Sequence, residues 1–256
     1  MRVAPYEPGS WEAGPAALIY DELAAVALGH CPLDLAGASV LDAGAGTGAA
    51  SKAALQRGAR VVASDLSAAM LQFRRVHRPP GAAADILALP FHAGAFDVVA
   101  LPFSLSHVDP PVAGLREAAR VTRAGGAVVV SVFGPADKHP VKSVVQDVLD
   151  RWGWTPPAWY IDLKSSVEPA VADPVALLAL AAAAGLDAHA ELIDVDLGRQ
   201  TARQLVHWRL GMAQVTEFLE ELSPAAAAQL EDEAITRLGP APAPLVVQLA
   251  LLVARV

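Results

Sequence analysis

Residues 40–48 read Val40-Leu41-Asp42-Ala43-Gly44-Ala45-Gly46-Thr47-Gly48, an apolar run that passes into a glycine-rich turn. Glycines let a backbone turn sharply and approach a ligand closely, and a helix opening just after them presents unpaired N–H groups. The stretch therefore predicts a strand, a tight turn and a helix built around a nucleotide-type ligand. A second apolar run, Val61-Val62-Ala63-Ser64-Asp65, ends on an acid suited to accept both hydroxyl hydrogens of a ribose. Gly44, Gly46 and Ala49 also satisfy the dinucleotide fingerprint with alanine in third place, so a nicotinamide-dependent oxidoreductase is open at this point. Against it stand Asp42, two residues before the first glycine, a third glycine at Gly48, and Asp85 at the end of a third apolar run.

Outward from this turn, β-branched runs alternate with alanine-rich segments. The alternation predicts strands near 38–43, 60–65, 82–86, 96–102 and 127–133, with helices near 47–57, 67–75 and 111–121 between them. In the second half, Asp173-Pro174 and Ser223-Pro224 each pair a capping side chain with a proline at the first helical position, and Gly185 suits a helix end. Helices are expected at 174–184, 201–221 and 224–238, and strands at 189–196 and 245–255. The fold class is α/β, a doubly wound and mainly parallel sheet.

The 256 residues suffice for one substantial core, and no composition shift divides them, so a single domain is expected. The formal charge is −8, and basic residues cluster only at Arg74, Arg75, His77 and Arg78, which argues against a nucleic-acid partner. The longest uncharged apolar stretch, Val175 to Leu186, is too short to cross a bilayer. Pro5, Glu7, Pro8, Gly9 and Glu12 interrupt any export-signal core, so a cytoplasmic protein without membrane attachment is expected. Cys31 stands alone, and no histidine and carboxylate spacing suits a metal. Nothing sets an oligomeric state.

From Val40 to about Phe133 the chain resembles a class I S-adenosylmethionine (SAM)-dependent methyltransferase, within the group of ubiquinone/menaquinone-biosynthesis and natural-product enzymes. The matching segments are LDAGAGTG, ASDLS, ADILALPF, FDVVALPFSLSHV and LREAARVTRAGGAVVVSVF. The resemblance implies a seven-stranded Rossmann-like sheet with a late antiparallel strand. It implies that Asp42, Gly44, Gly46 and Gly48 surround the methionine part of SAM and that Asp65 binds the ribose with Leu66 beside the adenine. Asp85 would bond the adenine amino group with Ile86 packed nearby, and Leu101 would line the sulfonium end. The product would be S-adenosylhomocysteine. Pro102 and Ala124 depart from the family pattern, the first next to the reactive end. The implied organisation is an N-terminal helical lid (1–37), the SAM-binding core (38–133), an aromatic insertion (134–172) and C-terminal helices and strands (173–256).

Aromatic residues concentrate outside the core, as Tyr6, Trp11 and Tyr20 and as Trp152, Trp154, Trp159 and Tyr160. In the family's architecture both segments cover the cofactor, so these seven are acceptor-pocket candidates; stapling an insertion to the core is the competing reading. His107, after the fourth strand, is a candidate to orient an acceptor or take its proton, and a histidine bonded to a backbone carbonyl is the alternative. His139 reads as a solvated turn residue, and Trp208, Arg209 and Met212 share a helical face that reads as core. The expected function is methyl transfer to an O, N or C nucleophile of a small molecule, with alanine, proline and tryptophan usage suiting secondary metabolism. The alternative is a SAM-binding protein acting as a partner subunit or in a non-methylating reaction.

Overall fold

The computed structural model describes residues 15–73, 78–136 and 139–256. Its strands are β1 Ser39–Ala43, β2 Arg60–Asp65, β3 Gly81–Ala83, β4 Phe96–Pro102, β5 Thr122–Phe133, β6 Asp187–Asp196 and β7 Val246–Arg255. They form one seven-stranded sheet in the order β3-β2-β1-β4-β5-β7-β6. β1 to β5 pair in parallel, while β7 runs antiparallel to both β5 and β6. The sheet is thus the expected Rossmann-like, doubly wound one with its late antiparallel strand. The strand order reverses at β1 and β4, which opens a crevice at their carboxyl ends, where such sheets take their ligands.

Helices cover both faces, so the central strands are continuous apolar runs. Along β4, Val98 and Ala100 pack on one side with Leu28 of α1 (Pro15–Gly29) and Ala50 and Ala53 of α2 (Ala49–Gln56). Val99 and Leu101 pack on the other with Leu115 of α4 (Pro111–Val121) and Leu177 of α8 (Pro174–Ala184). A third cluster joins Leu23 of α1 to α5 (Val141–Arg151), α9 (Ala202–Leu210) and α11 (Pro224–Leu238) around the fully buried Trp208. The short helices α3 (Ala68–Gln72), α6 (Ala158–Asp162), α7 (Glu168–Val171) and α10 (Ala213–Glu221) complete the set used below, with α6 and α7 joined by a π-helical turn at Leu163–Val167.

Two departures from the sequence reading have clear causes. The helix expected over 201–221 is two: Gly211 closes α9 and Met212 is extended, with φ −70° and ψ 138°. The stretch 141–151, read only as part of an aromatic insertion, is α5, whose Val141, Val145, Val148 and Leu149 make one buried stripe. Among the described residues no single helix is long and apolar enough to cross a membrane.

Candidate active site

A cavity of about 650 Å³ opens at the carboxyl ends of β1, β2 and β4. Its first half is built by the glycine turn. Gly44 and Ala45 both donate to the Ser64 carbonyl, at 2.8 and 2.9 Å, which folds the turn back over β2. Gly44 has φ 75°, and a Cβ there would stand 2.4 Å from the Cβ of Ser104, so only glycine allows the β1 and β4 loops to meet. At Gly46, with φ 49°, a Cβ would touch nothing within 4 Å, which leaves bare backbone facing the cavity. Turn and cavity therefore fit a ligand that lies against main chain.

The three strand-end acids are not equivalent. Asp42 is only 2% exposed. It accepts from the Ser51 amide at 2.7 Å and the Ser51 hydroxyl at 2.6 Å. Ser51 is the third residue of α2, and the helix's own N-cap, Gly48, offers no side chain, so Asp42 caps α2 from the neighbouring strand. Burial pushes its carboxyl up to about 6 against the pull of Ser51 and Arg78. Asp65 accepts from the Gly46 amide at 2.7 Å and from the Ser67 amide at 2.8 Å, and burial raises it as well. Asp85 accepts from the Leu87 amide at 2.9 Å and remains at the cavity wall. Leu66 and Ile86 line the same half.

The second half is aromatic. Tyr20, Phe103, Phe133, Trp159 and Tyr160 line it together with Leu163, Met212, Lys142 and Arg209. Tyr20 meets Phe103 edge-on at 5.2 Å and Phe133 at 6.0 Å, a packed aromatic floor. Phe103 carries φ 59°, the one positive value among the described non-glycine residues. Its amide is held by the Ser131 carbonyl at 2.7 Å, and the strain aims its ring at Tyr20 and Phe133 instead of along β4. Burial drives the Tyr20 phenol well above the usual range and pushes the His107 imidazole, also on the wall, down to about 4.

Of the residues singled out from sequence, Asp42, Gly44, Gly46, Asp65, Leu66, Asp85, Ile86, His107, Tyr20, Trp159 and Tyr160 converge on this cavity. Four do not. Leu101 is fully buried in the core beneath the cavity, in the same apolar cluster as Ile86, Val108 and Val132, and Pro102, Phe103 and Ser104 line the cavity instead. Gly48 lies behind the turn as the N-cap of α2. Trp152 donates to Glu233 at 3.0 Å and Trp154 to the Gln214 carbonyl at 3.1 Å, so both tie α5 to α11 and α10. Tyr6 and Trp11 lie outside the described residues. His139 is not a solvated turn: it is 8% exposed, accepts from the Val141 amide and bonds the Ala243 carbonyl, pinning the start of α5. Phe103, Phe133, Met212 and Arg209 were missed as site residues. Arg209, next to the core residue Trp208 on α9, and Met212, just past the break at Gly211, both line the cavity.

Residues 41–130 match the family model described as a methyltransferase domain. The demethylmenaquinone methyltransferase of Beutenbergia cavernae is 42% identical over 110 residues, which is 42% of this chain and 46% of that protein. The chain thus spans about half the length of the curated relatives it matches. Among solved structures, the [4+2]-cyclase SpnF is 19% identical with a TM-score of 0.55, over 92% of this chain and 80% of that one. The Haemonchus contortus phospholethanolamine N-methyltransferase 2, in complex with phosphomonomethylethanolamine and S-adenosylhomocysteine, is 20% identical with a TM-score of 0.56, over 91% and 52%. The two structures share the fold; the family match rests on the segment from β1 to β5. Over residues 41–130, from β1 into β5, the chain is thus similar to a methyltransferase domain.

Proposed function

We propose that the chain is a methyltransferase that carries a methyl group from SAM to a small, largely apolar molecule held by the aromatic half of the cavity. The observation that carries this reading is the division of one cavity into a glycine turn with three strand-end acids and a floor of packed rings. SAM, when bound, supplies a methyl group on a sulfonium. The chain's residues bind and orient. Asp65 receives the ribose hydroxyls, Asp85 and Ile86 the adenine, and the bare Gly44 and Gly46 backbone the methionine part. Alignment of the acceptor and exclusion of water are the main sources of rate, and the rings of Tyr20, Phe103, Phe133, Trp159 and Tyr160 do both.

The acid–base character of the wall narrows the nucleophile. A His107 imidazole held down near 4 is neutral yet a poor proton acceptor, and a Tyr20 phenol driven upward keeps its proton. Such a wall suits a nucleophile that is already electron-rich, such as a neutral amine, an activated carbon or a readily ionised hydroxyl, with His107 orienting it through a hydrogen bond. The curated relatives act, by name, on demethylmenaquinone. Tyr20, Phe133, Trp159, Tyr160 and Met212 all lie outside the segment matched by the family model, so most of the acceptor's wall comes from parts of the chain that the match does not reach. The family's fold also carries a cyclase, so SAM binding without methyl transfer is the competing outcome.

Isothermal titration with SAM and with S-adenosylhomocysteine tests the reading. Saturable binding is expected, weakened at least tenfold in Asp65→Ala, followed by methyl transfer in a screen of amines, phenols and quinols. Absence of binding to the wild type would overturn the proposal. Binding with no transfer to any acceptor would favour the non-methylating protein.

A further inference from the structure

Arg78 follows α3 and stands outside the cavity lining, and its guanidinium reaches the back of the glycine turn. Its Nη1 donates to the Gly46 carbonyl at 2.7 Å and also to the Met70 carbonyl. Asp65 accepts from the Gly46 amide at 2.7 Å. Gly46 is therefore gripped at both polar groups, by a carboxylate at its N–H and a guanidinium at its C=O. A Cβ on Gly48 would come within 3.3 Å of Nη2, so the guanidinium packs against the start of α2 as well. Nε and Nη2 are buried and have no hydrogen-bond partner among the described residues. A half-buried guanidinium with two buried donors unpartnered among the described residues is not held there by the hydrogen bonds of that set alone. Charge offsets the cost: the ionised groups facing it are Asp42, at the end of β1, and Asp65, at the end of β2.

We infer that Arg78 is a positioning residue for the cofactor turn, holding the Gly46 peptide in place from behind and countering the charge of the two buried carboxylates, Asp42 and Asp65. The inference rests on the reading of this cavity as a SAM site. The carboxylate that steadies the Gly46 amide is the one expected to receive the ribose hydroxyls. Once Asp65 is shared with a ribose, the Arg78 bond to the Gly46 carbonyl is the hold on the turn that the cofactor does not compete for. Charge gives Arg78 a second effect. Burial raises both carboxyls and Arg78 lowers both, so with the guanidinium present Asp65 is ionised, the form that accepts hydroxyl hydrogens, down to a lower pH.

The test is SAM affinity measured by titration calorimetry between pH 5 and 8.5 for the wild type, Arg78→Met and Arg78→Lys, with near-ultraviolet circular dichroism to check folding. For Arg78→Met, affinity at pH 8 is expected to fall about tenfold or more, the loss of one charge-assisted hydrogen bond. The pH below which binding weakens is expected to move upward. Arg78→Lys keeps the charge but not the fork, so its affinity should fall while the wild-type pH midpoint is retained. A folded Arg78→Met that binds within twofold of the wild type with an unmoved midpoint overturns the inference. If Arg78→Met does not fold, Arg78→Lys decides: wild-type affinity overturns the inference, and weakened binding at an unmoved midpoint supports it. Failure of the wild type to bind SAM would instead remove the reading on which the inference stands.

Discussion

At the scale of single residues, Asp42 shows how burial sets the character of a side chain. Its folded carboxyl titrates near 6 and an exposed one near 3.8, so the native state holds an extra proton between those values. Stability therefore falls as pH rises through that window, by an order-of-magnitude amount of about 3 kcal/mol from end to end. Asp42→Asn removes the titration. Melts from pH 4 to 8 should show the variant gaining on the wild type as pH rises from 4 to 6, with no further relative gain above 7; parallel curves would show that Asp42 does not titrate there. Asp42, Asp65 and Asp85 were legible in sequence because each stands where an apolar run gives way to a turn, although only Asp65 is the last residue of its strand. Leu101 lies in the core beneath the cavity and not on its wall, a depth that a continuously apolar run does not reveal. Phe103 left no local signal, since its positive φ follows from how β4 meets β5.

Among the elements, those with strong end signals were read to the residue: α4, α8 and α11 begin on prolines and match their expected bounds. The break at Gly211 was not legible, because a glycine within a helical pattern reads as tolerated until tertiary packing chooses otherwise. The segment 158–171 carries a π-helical turn in its middle, with Trp159 and Tyr160 before it, Leu163 and Lys164 within it and Glu168 and Val171 after it all lining the cavity. Replacing Trp159 and Tyr160 together by alanine would remove the rings that this segment presents to the cavity. The acceptor KM should rise severalfold or more, with SAM affinity within twofold of the wild type. An unchanged KM would show that Trp159 and Tyr160 do not contact the acceptor.

The whole molecule responds through linkage. A ligand that binds only the folded chain adds about 2.7 kcal/mol at a hundred times its Kd, so SAM should raise the melting temperature in a concentration-dependent way, and Asp65→Ala should cut the shift at that concentration by about half or more. A full-sized shift in the variant would put the ligand somewhere other than the β2 end. The sheet order was expected from the resemblance and from the terminal apolar run. Which helices close the acceptor half was not, because α5 and α9 meet through contacts between segments about sixty residues apart.

The position of β7 has a consequence for how the chain is made. It is the last strand in sequence, yet it lies inside the sheet between β5 and β6, paired along Ala127–Phe133 on one side and Asp187–Asp196 on the other. While the ribosome is still synthesising residues 134–245, β5 has an unpaired edge and β6 has no partner in the sheet. An incomplete chain thus exposes a hydrophobic strand edge that another chain can pair with, and chaperone demand should peak in that interval and end when Val246–Arg255 emerges.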